Sequence, residues 1–191
     1  MYFKADATSG DDDDDLVRRA RDGYAEAFGM LVTRYQKVMY TVALRMVGNA
    51  EDAQDVTQDA FVKAYRQLAT FDPDYRFFSW LYRIQLNECF NALRARRPLD
   101  SIEPEMAAGD STPFDSTLQS ERREQIVAAL QQLTPEYRAV VVLRHFAGQS
   151  YEEIAAALEI PEKTVKSRLY SARQRLGELL LGWKAHAPEM K

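Results

Sequence analysis

The chain is poor in the residues on which site chemistry usually depends. One cysteine, Cys89, stands in 191 residues, which excludes an internal disulfide framework and suits a reducing compartment. The two histidines, His145 and His186, are far apart in sequence, and no glycine-rich phosphate-binding loop is present. Neither a catalytic constellation nor a metal or cofactor site follows from these residues, and His145 beside Phe146 reads as a core or interface histidine. No apolar run approaches the roughly 20 residues that cross a bilayer, so no membrane insertion is expected. The opening MYFKADATSGDDDDD lacks the basic-then-apolar order of a secretory signal, which points to the cytoplasm. Strand-like alternation and internal repeats are also missing.

What is present is charge, unevenly spread. A hydrophobic share of 46% and a charged share of 28% fit a soluble globular protein. The net charge of -4, taken alone, argues against a nucleic-acid partner. Its distribution argues the other way. Arg76 to Arg97 carries five arginines and one acid, and Glu162 to Lys184 carries six Lys/Arg and two acids. Between them, Pro98 to Glu124 holds seven acids and two arginines. Two basic segments around an acidic connector fit two polyanion-binding modules on a tether, and equally fit the local charge swings of any helical protein.

The organisation is helical throughout. The run Asp11–Asp15 reads as the end of a solvated, disordered tail over residues 1–15, because like charges repel and bury nothing. Tyr24, Phe28, Leu31, Tyr35, Val38, Val42 and Met46 recur at intervals of three or four and draw one apolar stripe, which Gly48-Asn49 ends. A second helix over Asp52–Leu68 turns Ala53, Val56, Ala60, Ala64 and Leu68 inward. Phe71-Asp72-Pro73-Asp74 is a loop, and a third helix runs from about Arg76 to Arg97. Residues 98–119, with Pro104, Gly109 and Pro113 and no amphipathic period, form a flexible acidic linker. Helices resume near Ser120. The predicted fold is all-α: one helical domain over 16–97, a second over 120–184, and a short tail over 185–191.

The second domain carries a helix-turn-helix pattern. Ser150-Tyr151-Glu152-Glu153 is a capping box, Ile154, Ala155 and Leu158 give a short helix its buried side, and Glu159-Ile160-Pro161 is a tight connection. In the helix that follows, Val165, Leu169, Ala172, Leu176 and Leu179 face the domain. The opposite face presents Lys163, Lys166, Ser167, Tyr170, Ser171 and Gln174, flanked by Arg168 and Arg173. Long cations beside short hydroxyl and amide groups suit major-groove edges and phosphates.

The first domain offers two further faces. On the helix Asp52–Leu68, Gln54, Gln58, Phe61 and Tyr65 recur beside Asp55, Asp59 and Arg66, which suits a protein-binding face. Phe61 and Tyr65 fit a core position equally well on pattern alone. On the helix Arg76–Arg97, Ser79, Arg83, Asn87, Asn91 and Arg94 form a polar stripe, surrounded by Phe77, Phe78, Trp80, Tyr82 and Phe90. Amides and arginines beside aromatics match the needs of single-stranded bases, although most of these aromatics belong to a three-helix core.

The ordered set of segments resembles the small extracytoplasmic-function group of bacterial RNA polymerase sigma factors. Asp55-Val56-Thr57-Gln58-Asp59-Ala60-Phe61 is similar to the family segment that grips the clamp coiled coil of the polymerase. Phe78-Ser79-Trp80-Leu81-Tyr82-Arg83-Ile84, with Asn87 and Asn91, is similar to the segment that recognises and melts the −10 element. The loop Phe71–Tyr75 corresponds to the one that captures a flipped base, although Asp72-Pro73-Asp74 replaces the usual glycine and serine. Leu133-Thr134-Pro135 through Arg168 resembles the −35-binding domain.

The resemblance implies core polymerase (clamp coiled coil and flap), promoter DNA and an anti-sigma factor as partners, and a signal-responsive set of genes as target. It assigns Asp55, Gln58, Asp59 and Phe61 to polymerase. Arg76, Ser79, Trp80, Arg83, Asn87 and Asn91 go to the −10 element; Lys163, Lys166, Ser167, Arg168, Tyr170, Ser171 and Arg173 go to the −35 element. The competing reading is a helix-turn-helix regulator that is no polymerase subunit. It would need a receiver or ligand-binding domain, of which Leu16–Arg97 shows no α/β pattern.

Overall fold

The computed structural model describes residues 9–96 and 125–186. The expected linker, 98–119, lies outside the described residues, as do 1–8 and 187–191 of the two expected tails. Every regular element among the described residues is helical. In chain order they are α1 (Ser9–Arg21), α2 (Ala25–Val47), α3 (Ala50–Gln67), a 3₁₀ turn (Leu68–Thr70) and α4 (Phe77–Ala95). After the undescribed segment come α5 (125–131), α6 (Pro135–His145), α7 (Tyr151–Leu158) and α8 (Glu162–His186).

The acidic run departs from the tail expected of it. It lies within α1, and the expected boundary at residue 16 falls inside that helix. Acidic side chains are favoured at a helix N-terminus, and Arg18, Arg19 and Arg21 occupy the last turn, where cations are favoured. Asp13 is itself buried, taking hydrogen bonds from the Tyr35 hydroxyl and the Arg34 guanidinium of α2. Leu16, Val17 and Ala20 then seal α1 into the core.

The stripe on α2 is buried at Phe28, Leu31, Tyr35, Val42 and Met46. Val38 is only half-buried, Met39 takes the deeper position, and Tyr24 sits outside the helix, exposed, at its N-cap. Burying side chains such as Leu31, Met39 and Met46 stabilises the fold by about 1.5–3 kcal/mol each. Gly48 ends α2 in the left-handed region (φ 91°) with its N–H on the Leu44 carbonyl. Asn49 then caps α3, its side chain accepting the Asp52 N–H at 2.9 Å. All five positions expected inward on α3, Ala53, Val56, Ala60, Ala64 and Leu68, are buried.

In the second half, Pro135 occupies the first turn of α6. The capping box of α7 forms in full: the Glu153 N–H donates to Ser150 Oγ at 3.1 Å, and the Ser150 N–H to Glu153 Oε2 at 2.7 Å. Glu159 closes α7 in the left-handed region (φ 53°). Val165, Leu169 and Ala172 are buried under α6 and α7, with Leu176 and Leu179 half-buried.

The halves expected as two tethered domains pack together, α7 on α4 and α6 on α2, and their buried side chains form one continuous cluster. The seam is built at the C-terminal end of α2, whose last carbonyls have no partner within the helix. Arg138 of α6 donates to the Met46 carbonyl, and Gln131 donates to the Arg45 carbonyl at 3.0 Å. Arg45 in turn stacks its guanidinium 4.0 Å from the centre of the Phe146 ring. The backbone approaches closely here. A Cβ on Gly48 would come within 2.8 Å of the Gln131 side chain, at a φ that glycine alone adopts freely.

Candidate nucleic-acid and polymerase interfaces

The face of α8 away from the core follows from its period. With Val165, Leu169 and Ala172 inward, Lys163, Lys166, Ser167, Tyr170, Ser171 and Arg173 are exposed and Arg168 is half-buried. Tyr170, with 68% of its surface accessible, stands out most among the large apolar side chains. Lys166 pairs with Glu162 at 2.7 Å, and that hydrogen bond and charge raise its pKa. Arg173 comes within 3.4 Å of His145 Nε2. Partial burial, then the charges of Arg173 and Arg144, lower the pKa of His145 below its ordinary value. His145 therefore belongs to the cationic rim of this face and not to the core. The seven residues expected at the −35 element are thus brought to one helix.

The stripe on α4 is brought together only in part. Asn87 and Asn91 are exposed, with Asn91 accepting from Arg94 at 2.7 Å. Ser79 and Trp80 are buried. Trp80 lies in an aromatic cluster with Phe71, at 5.2 Å between ring centres, and Phe77, at 5.7 Å. Phe77 and Tyr82 are buried, and Phe78 and Phe90 half-buried, in agreement with a largely core role for the aromatics. The Tyr82 hydroxyl is buried without a protein partner; burial first, then the charges of Tyr35 and Glu153, raise its pKa well above the usual phenol value.

Arg76 and Arg83 are both engaged by the other half: Arg76 Nη1 lies 2.9 Å from Glu153 Oε1, and Arg83 Nη1 lies 2.9 Å from Glu159 Oε1. Between α4 and α7 is a cleft of about 350 Å³. It is walled by Phe71, Tyr75, Ser79, Trp80 and Arg83 on one side, and by Ala156 and Glu159 on the other. Periodicity identified the α4 stripe but gave no sign of Glu153 and Glu159 as its neighbours. In the sequence these two residues mark only a cap and a turn.

On α3, Asp55, Gln58 and Asp59 are exposed and contiguous. Phe61, for which core and surface fit the pattern equally and which the resemblance assigns to polymerase, is buried, with 8% of its surface accessible. The apolar side chains that do reach the surface here are Val62 and Tyr65. Tyr65 packs edge-on against Phe28 at 5.0 Å and remains half-exposed. A residue four after Gln58 is displaced from a residue three after it by about a quarter turn, enough to exchange an inward for an outward position. Beside this face, Lys63 pairs with Glu88 at 2.6 Å and Arg96 with Asp52, fixing α3 to α4. Cys89 lies beneath; burial, with the Glu88 charge, pushes its thiol up to about 12, far from a reactive thiolate. No described helix is long and apolar enough to cross a membrane.

Comparison with known proteins matches both halves of the chain to one family. Residues 31–98 match the Sigma-70 region 2 model, and residues 123–176 match the Sigma-70 region 4 model. The chain is 39% identical over 180 residues to the RNA polymerase sigma-H factor of Pseudomonas aeruginosa, covering 88% of this chain and 93% of that one. It is 39% identical over 173 residues to the ECF RNA polymerase sigma-E factor of Escherichia coli K12, covering 84% and 90%.

Among solved structures, CnrH in complex with the cytosolic domain of CnrY aligns with a TM-score of 0.72 and 33% identity over 90% of this chain and 98% of that one. RpoE in complex with the anti-sigma factor NepR from Bartonella quintana aligns at 0.62 and 26%, covering 80% and 96%. A helix-turn-helix regulator without a polymerase-binding half would match only the second segment. With region 2 and region 4 present in order and relatives matched nearly end to end, the chain belongs to the extracytoplasmic-function sigma factors.

Proposed function

We propose that this sigma factor divides promoter recognition among three faces of its helices. The exposed patch of Asp55, Gln58 and Asp59, extended by Val62 and Tyr65, docks on the clamp coiled coil of core polymerase, where carboxylates and amides beside apolar side chains give both register and contact area. Arg76 at the N-cap of α4, with Ser79, Trp80, Arg83, Asn87 and Asn91 within it, serves the −10 element once its strands part. Asparagine amides donate to and accept from base edges, aromatic rings stack on unpaired bases, and arginines hold the phosphates.

The outward face of α8 enters the major groove at the −35 element, with Lys163, Lys166, Arg168 and Arg173 divided between base edges and phosphates and Tyr170 at the rim. Each contact alone is weak. Joining the two DNA-binding halves in one chain, with polymerase fixing their spacing, raises the effective concentration of the second site once the first is held.

The observation that carries this reading is the exposure of the α3 and α8 faces on one chain whose two halves match the two sigma regions. The chain performs no catalysis of its own in this scheme; strand opening is driven by binding energy against an unstacking cost of a few kcal/mol. An anti-sigma factor fits as its regulator, since a structural relative, RpoE of Bartonella quintana, was solved with the anti-sigma factor NepR. The cytoplasm, where polymerase works, is its place of action. Run-off transcription with core polymerase on a promoter library is the test. Promoter-specific transcripts that need this chain are expected, and their absence across the library overturns the reading.

A further inference from the structure

Along one flank of α8 the cations outnumber the acids that pair with them. Lys166 and Arg173 lie two turns apart on the same side of α8, and both are exposed. The groups beside them come from the two preceding helices. Tyr151, at the start of α7, has Lys166 Nζ 5.7 Å from its ring centre and the Arg144 guanidinium of α6 at 4.9 Å. His145, the last residue of α6, is exposed, and its Nε2 lies 3.4 Å from Arg173 Nη2. Lys166, Arg144, His145 and Arg173 thus follow one another in an arc.

One carboxylate pairs within this arc: Glu162, on Lys166 at 2.7 Å. Arg144 donates to the Gln149 carbonyl at 2.7 Å. Among the described residues neither His145 nor Arg173 has a carboxylate partner. The charged groups that face the imidazole are Arg173 from α8 and Arg144 from its own helix. From α2, Arg45 lies on the ring of the neighbouring Phe146, and from α7, Tyr151 faces Arg144. Partial burial and the two arginines hold His145 below its ordinary pKa, so the ring is neutral at pH 7. A phosphate oxygen between His145 and Arg173 would accept from both and relieve the crowding of positive charge.

We infer that His145 and Arg173 together bind one phosphate of the DNA backbone at the edge of the −35 element, and that His145 takes up a proton from solvent as the phosphate arrives. This rests on the assignment of the α8 face to the −35 element, and it adds to that face a contact from α6. A backbone contact fixes how the helix sits over the groove and leaves base choice to α8. The sign of the pH effect follows from the charges. In the free chain two arginines disfavour the charged imidazole, and a bound phosphate favours it. Binding therefore draws a proton, and affinity rises as pH falls toward the ordinary histidine range of about 6.5.

The test titrates the full chain with a −35 duplex by fluorescence anisotropy, between about pH 6 and about pH 8, in buffers free of inorganic phosphate. The parent is expected to bind about threefold to fivefold more tightly at the acid end. His145→Gln keeps a hydrogen-bonding amide that does not titrate, and it is expected to lose that gain. His145→Lys, charged throughout, is expected to bind at the alkaline end as tightly as the parent does at the acid end, with a salt slope steeper by about one. His145 is exposed, so neither substitution disturbs the core. An undiminished pH gain in His145→Gln overturns the inference, and so does His145→Lys binding no more tightly than the parent at the alkaline end. Lys166→Ala separates this failure from that of the site. If Lys166→Ala weakens binding and the His145 variants follow the parent at every pH, the phosphate contact alone is wrong. If Lys166→Ala also changes nothing, the −35 assignment is wrong and the contact falls with it.

Discussion

Arg138 of α6 donates to the backbone carbonyl of Met46 at the end of α2, across the seam between the two sigma regions. Its remaining donors go to the Gln131 side-chain oxygen and to the backbone carbonyls of Leu130 at 2.9 Å, Gln131 at 2.8 Å and Leu133 at 3.1 Å. Burial lowers its pKa to about 10, so it stays charged at neutral pH. One guanidinium therefore caps a helix in the other half and ties down the turn that precedes its own helix.

Replacing that guanidinium by an apolar side chain leaves several buried carbonyls without donors. Arg138→Leu is expected to lower the stability of the folded chain by about 2–4 kcal/mol, since each orphaned buried group costs on the order of 1–3 kcal/mol and partial relaxation recovers some of it. Chemical denaturation reads this directly. A loss below about 0.5 kcal/mol, the usual range for a surface change, would show the network to be incidental.

The α3 face divides into residues that hold the fold and residues that hold the partner. Phe61→Ala is expected to cost about 3–5 kcal/mol of stability, as for other buried phenylalanines. Gln58→Ala, at an exposed position, is expected to leave the melting temperature nearly unchanged, and Tyr65→Ala to lose the edge contact with Phe28, about 0.5–1.5 kcal/mol; both are expected to weaken core polymerase binding. Calorimetry alongside a binding titration distinguishes the two groups. Full polymerase affinity in both exposed variants places the interface elsewhere.

On α8, Lys166→Ala and Arg168→Ala are expected to weaken −35 duplex binding while the fold survives. Loss of a base contact costs about 1–3 kcal/mol and relaxes specificity at one position; loss of a phosphate contact costs less and lowers the salt slope by about one. Titrations at several salt concentrations, on the matched site and on single-base variants of it, assign each residue to one class. Unchanged affinity and slope in both variants would make this a merely solvated face.

Asn87 and Asn91 lie one turn apart on the exposed part of α4. Their amides meet base edges only after the strands separate, so Asn87→Ala is expected to form a closed promoter complex and to open it poorly. A promoter with a pre-melted bubble is expected to rescue part of the defect, because the unpairing cost has been removed. Permanganate footprinting on the two templates is the measurement. Opening of the duplex promoter at the parental level would remove Asn87 from the melting face.

The all-helical class, the helix order and most inward positions could be read from the sequence, because each depends on local rules. Val165, Leu169 and Ala172 face the core because their spacing leaves a helix no other side to bury. The capping box at Ser150 forms because both of its partners lie within one turn. The outward face of α8 follows by subtraction, and the family resemblance follows from the order of these local segments.

The tertiary structure decided what depends on partners distant in the chain. Asp13 enters a helix in place of a tail because Arg34 and Tyr35, on the next helix, supply donors that no local pattern announces. Phe61 and Tyr65 were interchangeable by periodicity until packing buried the first and left the second half-exposed. The closing of region 4 over α4 joins residues more than 70 positions apart, Arg76 to Glu153 and Arg83 to Glu159. Helical period fixes the face a side chain occupies, since that is set by a few neighbouring residues. Which other face it meets is set by the packing of the whole chain, and a period of 3.6 residues carries no information about that.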